Sequence, residues 1–550
     1  MSDLQAKDFG QFYRACYDRA PFPWQERLAA EVLDGGWPDV LSLPTGAGKT
    51  SVLDVALFAL AVDPRRFSRR IVFVVDRRVV VDQAAEHAVQ LLKALQNAKT
   101  GIARDVAARL RSCWHGPEGE VPFVTSVLRG GMPRDDAWAR RPDQPVVAVS
   151  TVDQVGSRLL FRGYGVSEKM ASVHAGLLGH DTLFLLDEVH LSVPFCETLL
   201  EVDRWRHAHR GANGGAGHTH PELPDRWAVV RLSATAALRK EDRVFKLDRS
   251  DRENEQLDRR LRASKIAKLI PVRVKGSDEA NHRARVAEQA IAESLRLIEA
   301  GARASAVVVN RVDTARLVRR GLEEHRDRID AVLLTGRMRP LDRDRVLNDA
   351  LLDRIASGRA RAADAKPLVV VATQCIEAGA DFDFDGLVTE CASLDALRQR
   401  FGRLDRLGEL GRSQAVILCR ADLADGKTID PIYGSSLPKT WSWLTSHGEV
   451  ANFGVDHLKL PDDEVLKTLV TPMQHAPLLL PPHLERWAQT SPVPEPDPDV
   501  SLWLHGPDRG QPEVQLVWRA DVTVEGLQHA LDNDRDDLVA IVSEIGRAHV

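Results

Sequence analysis

The sequence predicts an α/β protein of two tandem lobes, each on a parallel sheet, followed by an incomplete C-terminal region. Three observations carry that prediction. Apolar runs alternate with amphipathic stretches over two blocks, 39–238 and 269–420, as strands alternate with helices in parallel sheets. A Gly-rich loop, LPTGAGKT at 43–50, follows the first run and opens a helix near Lys49. A carboxylate pair, Asp187 and Glu188, ends one run of the first block, and a basic string, QRFGRLDR at 399–406, sits in the second.

Residues 1–38 read as a helical N-terminal segment. In the first block, strands are expected at 39–43, 71–75, 146–149, 182–186 and 227–232. Residues 239–268 are dense in charge with few apolar anchors and read as a connector between the lobes. In the second block, strands are expected near 306–309, 331–334, 368–372, 387–389 and 415–418. Residues 421–543 join Pro-rich stretches to Trp-containing segments and show no catalytic pattern. No repeat recurs at a solenoid period.

Composition sets bounds. The chain has 550 residues, 44% hydrophobic and 28% charged, ordinary values for a globular protein with room for several domains. A net charge of −5 advertises no global attraction for nucleic acid, so any nucleic-acid track must be local. No signal peptide and no membrane-length apolar run is visible. The six cysteines are scattered without a C-x-x-C pair and read as thiols of a reducing cytoplasm.

The first string reads as a phosphate cradle. Thr45, Gly46, Ala47 and Gly48 would bring backbone N–H groups to the phosphates of ATP at a helix N-terminus. Lys49 would reach the β- and γ-phosphates, and Thr50 would hold Mg²⁺. Position 43 is Leu where the full phosphate-loop pattern has Gly. In the second string, Asp187 would hold the Mg²⁺ shell, and Glu188 would position and deprotonate the attacking water. In the third, Gln399, Arg403 and Arg406 share a helical stripe, with Arg400 to one side. Arg403 and Arg406 would reach the γ-phosphate across a cleft.

Weaker strings fit around these. Gln25, about twenty residues before the loop, is a candidate for the adenine edge. Ser233, Ala234 and Thr235 end a strand and would couple the metal site to the lobe interface. Thr373, Gly379 and Asp381 follow another strand, with Gly379 and Asp381 as nucleotide contacts. His180-Asp181, an isolated HD dipeptide, reads as structural, and His207, His209, His218 and His220 read as a solvent loop.

With these strings in place, the chain resembles superfamily 2 helicases, whose phosphate loop has the P-T-G-x-G-K-T form. More narrowly it resembles the helicase portion of the CRISPR-associated helicase–nuclease of type I systems, over about residues 20–480. The matching blocks are STVDQVGSRLLFRGYG (150–165), LLDEVHLSVPF (185–195), NRVDTA (310–315), LLTGRMRPLDRD (333–344) and DALRQRFGRLDRLG (395–408). They look most like the I-G branch, formerly I-U, in which an HD nuclease follows the helicase. The resemblance implies two RecA-like lobes, ATP and Mg²⁺ as cofactors, single-stranded DNA as the track and an RNA-guided surveillance complex as the recruiting partner.

The ending carries its own expectation. Residues 545–550, IGRAHV, are what the sequencing-adapter string AGATCGGAAGAGCACACGTC encodes in one frame. Residues 544–550 are therefore read as an artefact, with the natural protein continuing past 543 and any nuclease lying beyond. The expected function is an ATP-dependent single-stranded DNA translocase or helicase. The alternatives are an RNA helicase and an adaptor that binds ATP without turnover.

Overall fold

Apolar runs become buried strands here because helices on both faces of a parallel sheet leave no side for polar residues. The first sheet contains β1 (Val40–Ser42), β2 (Arg70–Val75), β3 (Val124–Leu128), β4 (Val146–Thr151), β5 (Thr182–Asp187), β6 (Ala228–Leu232) and β7 (Val244–Lys246). Its order is β3-β4-β2-β5-β6-β1-β7, with every pairing parallel. The second contains β8 (Ser264–Val272), β9 (Ala304–Val308), β10 (Asp330–Leu334), β11 (Leu368–Ala372), β12 (Gly386–Glu390), β13 (Arg412–Arg420) and β14 (Val450–Asn452). Its order is β10-β11-β9-β12-β13-β8-β14, parallel except where β14 runs against β8. The chain therefore has two tandem RecA-like lobes. The computed structural model describes residues 4–75, 78–116, 121–129, 136–212, 226–233, 239–274, 276, 278–336, 338, 342, 345–347, 349–358, 365–377, 381–489, 492, 494, 495, 499–507, 523 and 528.

Every strand expected from an apolar run forms. The strands missed lack such a run. β3, β7 and β14 lie at sheet edges and are partly exposed. β8 carries Lys265 and Lys268 and begins inside the segment read as a connector. That segment is more structured than its charge density suggested. Val244–Lys246 completes the first sheet, and the helix Glu255–Arg262 sends Leu257 and Leu261, four residues apart, into the first-lobe core. Arg27 of the helix Pro23–Gly35 ties it down further, at 2.8 Å from the buried Asp251.

The N-terminal segment forms the helices Phe9–Tyr17 and Pro23–Gly35. Tyr17 donates to Asp54 Oδ1 at 2.6 Å, and His87 Nε2 lies 2.7 Å from Asp54 Oδ2. Asp54 is fully buried on the helix Val52–Val62 that follows the phosphate loop. Burial alone would lower the pKa of His87, but Asp54 outweighs it and raises it.

The C-terminal region divides its contacts. Leu423, Tyr433, Trp441 and Phe453 join the second-lobe core, and Phe453 stacks on Phe401 with ring centroids 4.0 Å apart. Beyond Thr471 the chain crosses to the first lobe. Glu197 there accepts from Ala476 N at 2.8 Å and meets His475 at 2.7 Å. Leu479, Trp487, Trp503 and Leu504 then enter a core with Phe184 and Phe195. Thr198 Oγ1 donates to Trp503 O, and Trp205 Nε1 to Leu479 O. A Cβ at Gly156 would overlap Leu504 and stand 3.0 Å from Phe195.

Arg400 braces the second lobe. It is fully buried, and its five N–H groups find five acceptors. They are Glu377 Oε1, Thr389 Oγ1, Glu390 O, Asn310 Oδ1 and the Tyr433 hydroxyl, at 2.8 to 3.0 Å. It thus joins the ends of β9, β11 and β12 to the C-terminal region.

Two stability predictions follow from this packing. Gly156→Ala should cost about 1–3 kcal/mol by overpacking, read as a lower midpoint in urea unfolding; an unchanged midpoint would mean residues 500–505 do not dock there. Arg400→Met should cost about 3–5 kcal/mol because it takes the guanidinium away from the buried Glu377 carboxylate. A loss below about 1 kcal/mol on unfolding would show that the brace is not needed.

Candidate ATP site between the lobes

The phosphate loop joins β1 to the helix Val52–Val62 through one turn, Lys49–Ser51. Gly46 and Gly48 have φ of 85° and 79°, the left-handed region that glycine enters without a Cβ penalty. Trp24 Nε1 donates to Ala47 O at 3.0 Å and fixes the loop from below. Gln25 lies against the same loop, but its amide is already engaged. Its Oε1 accepts from Phe22 N at 2.8 Å, and its Nε2 donates to Ser51 Oγ at 2.5 Å. In this geometry Gln25 braces the loop and keeps one amide N–H beyond these two bonds.

Asp187 and Glu188 end β5 beside the loop. Lys49 Nζ donates to Glu188 Oε1 at 2.9 Å. Glu188 has φ 47°, a strained value of the kind found at functional sites. Burial alone would raise the Glu188 carboxyl, but Lys49 outweighs it and holds it low. Burial and the neighbouring Glu188 push Asp187 the other way, with Lys49 opposing. Asp187 Oδ1 is buried with no hydrogen-bond partner among the described residues.

That orphaned oxygen suits a hard cation. Mg²⁺ is usually held by one or two carboxylates together with substrate phosphates. No group of three or more metal-ligating side chains occurs among the described residues, so an all-protein cage is not what this site offers. Asp187 and Thr50 would hold the ion, and it would supply charge neutralisation at the phosphates.

The second lobe closes the cleft. Arg403 is buried, with Nε and Nη2 donating to the carbonyls of Ile376 and Glu377 at 3.2 and 2.9 Å. Burial and then Arg406 lower its pKa to about 9, while Glu188, Asp381 and Asp187 oppose the shift. Arg406 Nε pairs with Asp381 Oδ1 at 3.0 Å, so two expected nucleotide contacts hold each other. A Cβ at Gly46 would stand 3.2 Å from Arg406 O, and one at Gly402 2.9 Å from Thr45 Cγ2. Gln399 Nε2 lies 2.5 Å from His190 Nε2. The other ring nitrogen of His190, Nδ1, lies 3.6 Å from Glu188 Oε2.

The weaker strings fare unevenly. Thr373 is buried and caps the turn Gln374–Ile376. Ser233 is buried after β6 and bonds to Leu41 O, whereas Ala234, Thr235 and Gly379 lie outside the described residues. Asp181 accepts from Arg69 N at 2.9 Å and faces Arg226 at 3.5 Å, a structural role. His207 bonds within its own helix, and the side chain of His209, with His218 and His220, lies outside the described residues.

Three residues escaped the sequence reading. Arg260 Nη1 donates to Gly46 O at 2.6 Å, from the segment read as a connector, and no local pattern marks it. Lys265 is buried between the lobes and donates to Phe401 O at 2.8 Å. His190 was visible in the string LLDEVH, but its bond to Gln399 was not.

Two family models match the chain. That of the type III restriction enzyme, res subunit, covers residues 20–194, and that of the CRISPR-associated nuclease/helicase Cas3, C-terminal, covers residues 301–409. A CRISPR-associated nuclease/helicase Cas3 of Methanothermobacter thermautotrophicus is 36% identical over 100 residues, 18% of this chain and 11% of that protein. The crystal structure of T. fusca Cas3-AMPPNP aligns with a TM-score of 0.52 at 18% identity, over 79% of this chain and 51% of that one. T. fusca Cas3-ADP gives a TM-score of 0.53 at 18% identity, over 84% and 52%. That structural likeness is one of fold, and the chain spans about half the length of these solved relatives. The first lobe is thus similar in sequence to the res subunit of type III restriction enzymes, and the second to the C-terminal part of Cas3.

Proposed function

We propose that this chain is an ATP- and Mg²⁺-dependent translocase or helicase on single-stranded DNA, acting in the cytoplasm in type I CRISPR interference. The observation that carries the reading is the Lys49–Glu188 contact with Arg403 facing it from the other lobe. Without nucleotide, Glu188 is a weak base because Lys49 neutralises it. A γ-phosphate would draw Lys49 away. Glu188 would then be a buried carboxylate without its cation, its proton affinity would rise, and it could take the proton of an attacking water. Arg403 feels carboxylates only at a distance and bonds to carbonyls, so phosphate oxygens would supply the anion it lacks. Closure over ATP and release after hydrolysis would move one lobe on the other, which is how such a cleft turns chemistry into stepping. Recruitment to the displaced strand by an RNA-guided complex belongs to the same proposal.

Single substitutions separate these roles. Lys49→Ala should lose nucleotide affinity and turnover together. Glu188→Gln should bind ATP and leave it intact. Arg403→Ala should cut turnover by on the order of 10³ with ATP binding nearly retained. Phosphate-release and nucleotide-binding assays read all three, and wild-type turnover in any of them would overturn the assignment.

The track is tested separately. Single-stranded DNA should stimulate ATPase, and the stimulation should weaken as salt rises, since backbone contacts release counterions. Base sequence should matter little. Stimulation by RNA strands alone would favour an RNA helicase instead.

A further inference from the structure

Between the lobes, on the side of Glu188, lies a cavity of about 170 Å³. Its walls include Thr45, Glu188, Lys265, Asp395, Arg398 and Gln399. Each carboxylate in that wall has one oxygen engaged: Glu188 Oε1 takes the Lys49 ammonium, and Asp395 Oδ1 takes the backbone N–H of Thr471 at 3.0 Å. The cations have N–H groups to spare. Arg398 Nη1 is buried without a hydrogen-bond partner among the described residues. Lys265 spends one N–H on Phe401 O at 2.8 Å and has two more.

The charges agree with this donor surplus. Burial lowers the pKa of Arg398, with Glu188 and Asp395 opposing. Burial pushes Lys265 down to about 8, with Asp405 and Asp383 opposing. Each cation is under-compensated, and a buried guanidinium atom without a partner is costly unless something fills the space beside it. The cavity has the size for several waters or for one tetrahedral oxyanion.

We propose that this cavity holds inorganic phosphate after hydrolysis, bound by Arg398 and Lys265, before the phosphate leaves the closed cleft. The inference rests on the ATP-hydrolysis reading above and deepens it. Water attacking the γ-phosphate from the Glu188 side displaces ADP on the opposite side, so the freed phosphate faces Glu188 and the wall behind it. Arg398 would be a product-holding residue, distinct from Arg403 and Arg406.

The test uses the whole chain loaded with saturating Mg²⁺ and ADP, so that the phosphate loop is filled. Inorganic phosphate is then titrated in and followed by isothermal titration calorimetry. Phosphate should bind the ADP-loaded protein. Arg398→Gln should weaken that binding by on the order of ten-fold, the scale of one charge-assisted hydrogen bond. Arg398→Lys should restore most of it, and matching urea-unfolding curves would show that both variants are folded. Equal phosphate affinity in wild type and Arg398→Gln would overturn the proposal. So would phosphate that binds only when ADP is absent, since it would then sit in the phosphate loop. A chain that binds no ADP would count against the ATP reading itself. Phosphate titrated into that nucleotide-free chain must still weaken in Arg398→Gln, or this proposal fails as well.

Discussion

Lys49 and Glu188 meet at 2.9 Å in a cleft floor where burial works against either charge on its own. Burial disfavours both ions, and each is held charged by the other. The rest of the site is arranged around that fact. β1 and β5 stand one strand apart and run parallel, so the loop after one and the carboxylates at the end of the other come together at the C-terminal ends of the strands. The pair also sets the order of events. In the hydrolysis proposed above, Glu188 would act as a base only once something else satisfies Lys49, which would make phosphate binding a precondition for activating water.

The two lobes are connected more tightly than a single linker would allow. The chain passes from first to second lobe between β7 and β8, and returns after Thr471. The returning segment spans from Asp395, on the helix that carries Gln399, to Glu197, on the helix that follows Asp187 and Glu188. Any rotation that opens the ATP cleft must therefore bend or stretch residues 471–476. Arg400 stiffens the other side of this arrangement, since it locks Tyr433 of the C-terminal region to Glu377 beside Arg403. Motion at the nucleotide would be felt as rigid-body displacement instead of local slack.

What the sequence could announce depended on whether a residue's role is local. Asp187 and Glu188 sit at a strand end and Lys49 in the turn that closes the loop after β1, so these candidates and their apolar runs are adjacent in the text. The central strands are legible for the same reason. Arg400 reads as one more arginine in a basic stripe, because its five partners come from residues 310, 377, 389, 390 and 433. Arg260 and Lys265 were lost in a charge-dense segment whose two leucine anchors are sparse. Gln25 is legible as a candidate from its spacing, whereas its bonds to Phe22 and Ser51, which tie it to the loop, are not. The tryptophans at 487 and 503 looked unplaced because the core they complete lies some three hundred residues upstream.

The glycines of the two basic and phosphate-binding strings carry a second constraint beyond turn geometry. Gly46 and Gly48 need glycine for their φ, but Gly402 has an ordinary helical backbone. A side chain there would be crowded from two sides: an added Cβ would stand 2.9 Å from Thr45 Cγ2 of the other lobe and 3.1 Å from Gln399 O. Gly46 is crowded from the same direction by the carbonyl of Arg406. The strings that look like separate phosphate tools are therefore also the two faces of one contact, cut back to backbone so that the lobes can meet. A side chain at Gly402 would hold the lobes apart where Gln399 reaches His190 and Arg403 faces Lys49. The spacing between Gly402 and the arginines is then a distance requirement on how closely the lobes meet, and in the proposed mechanism the arginines would act only as far as that contact can form.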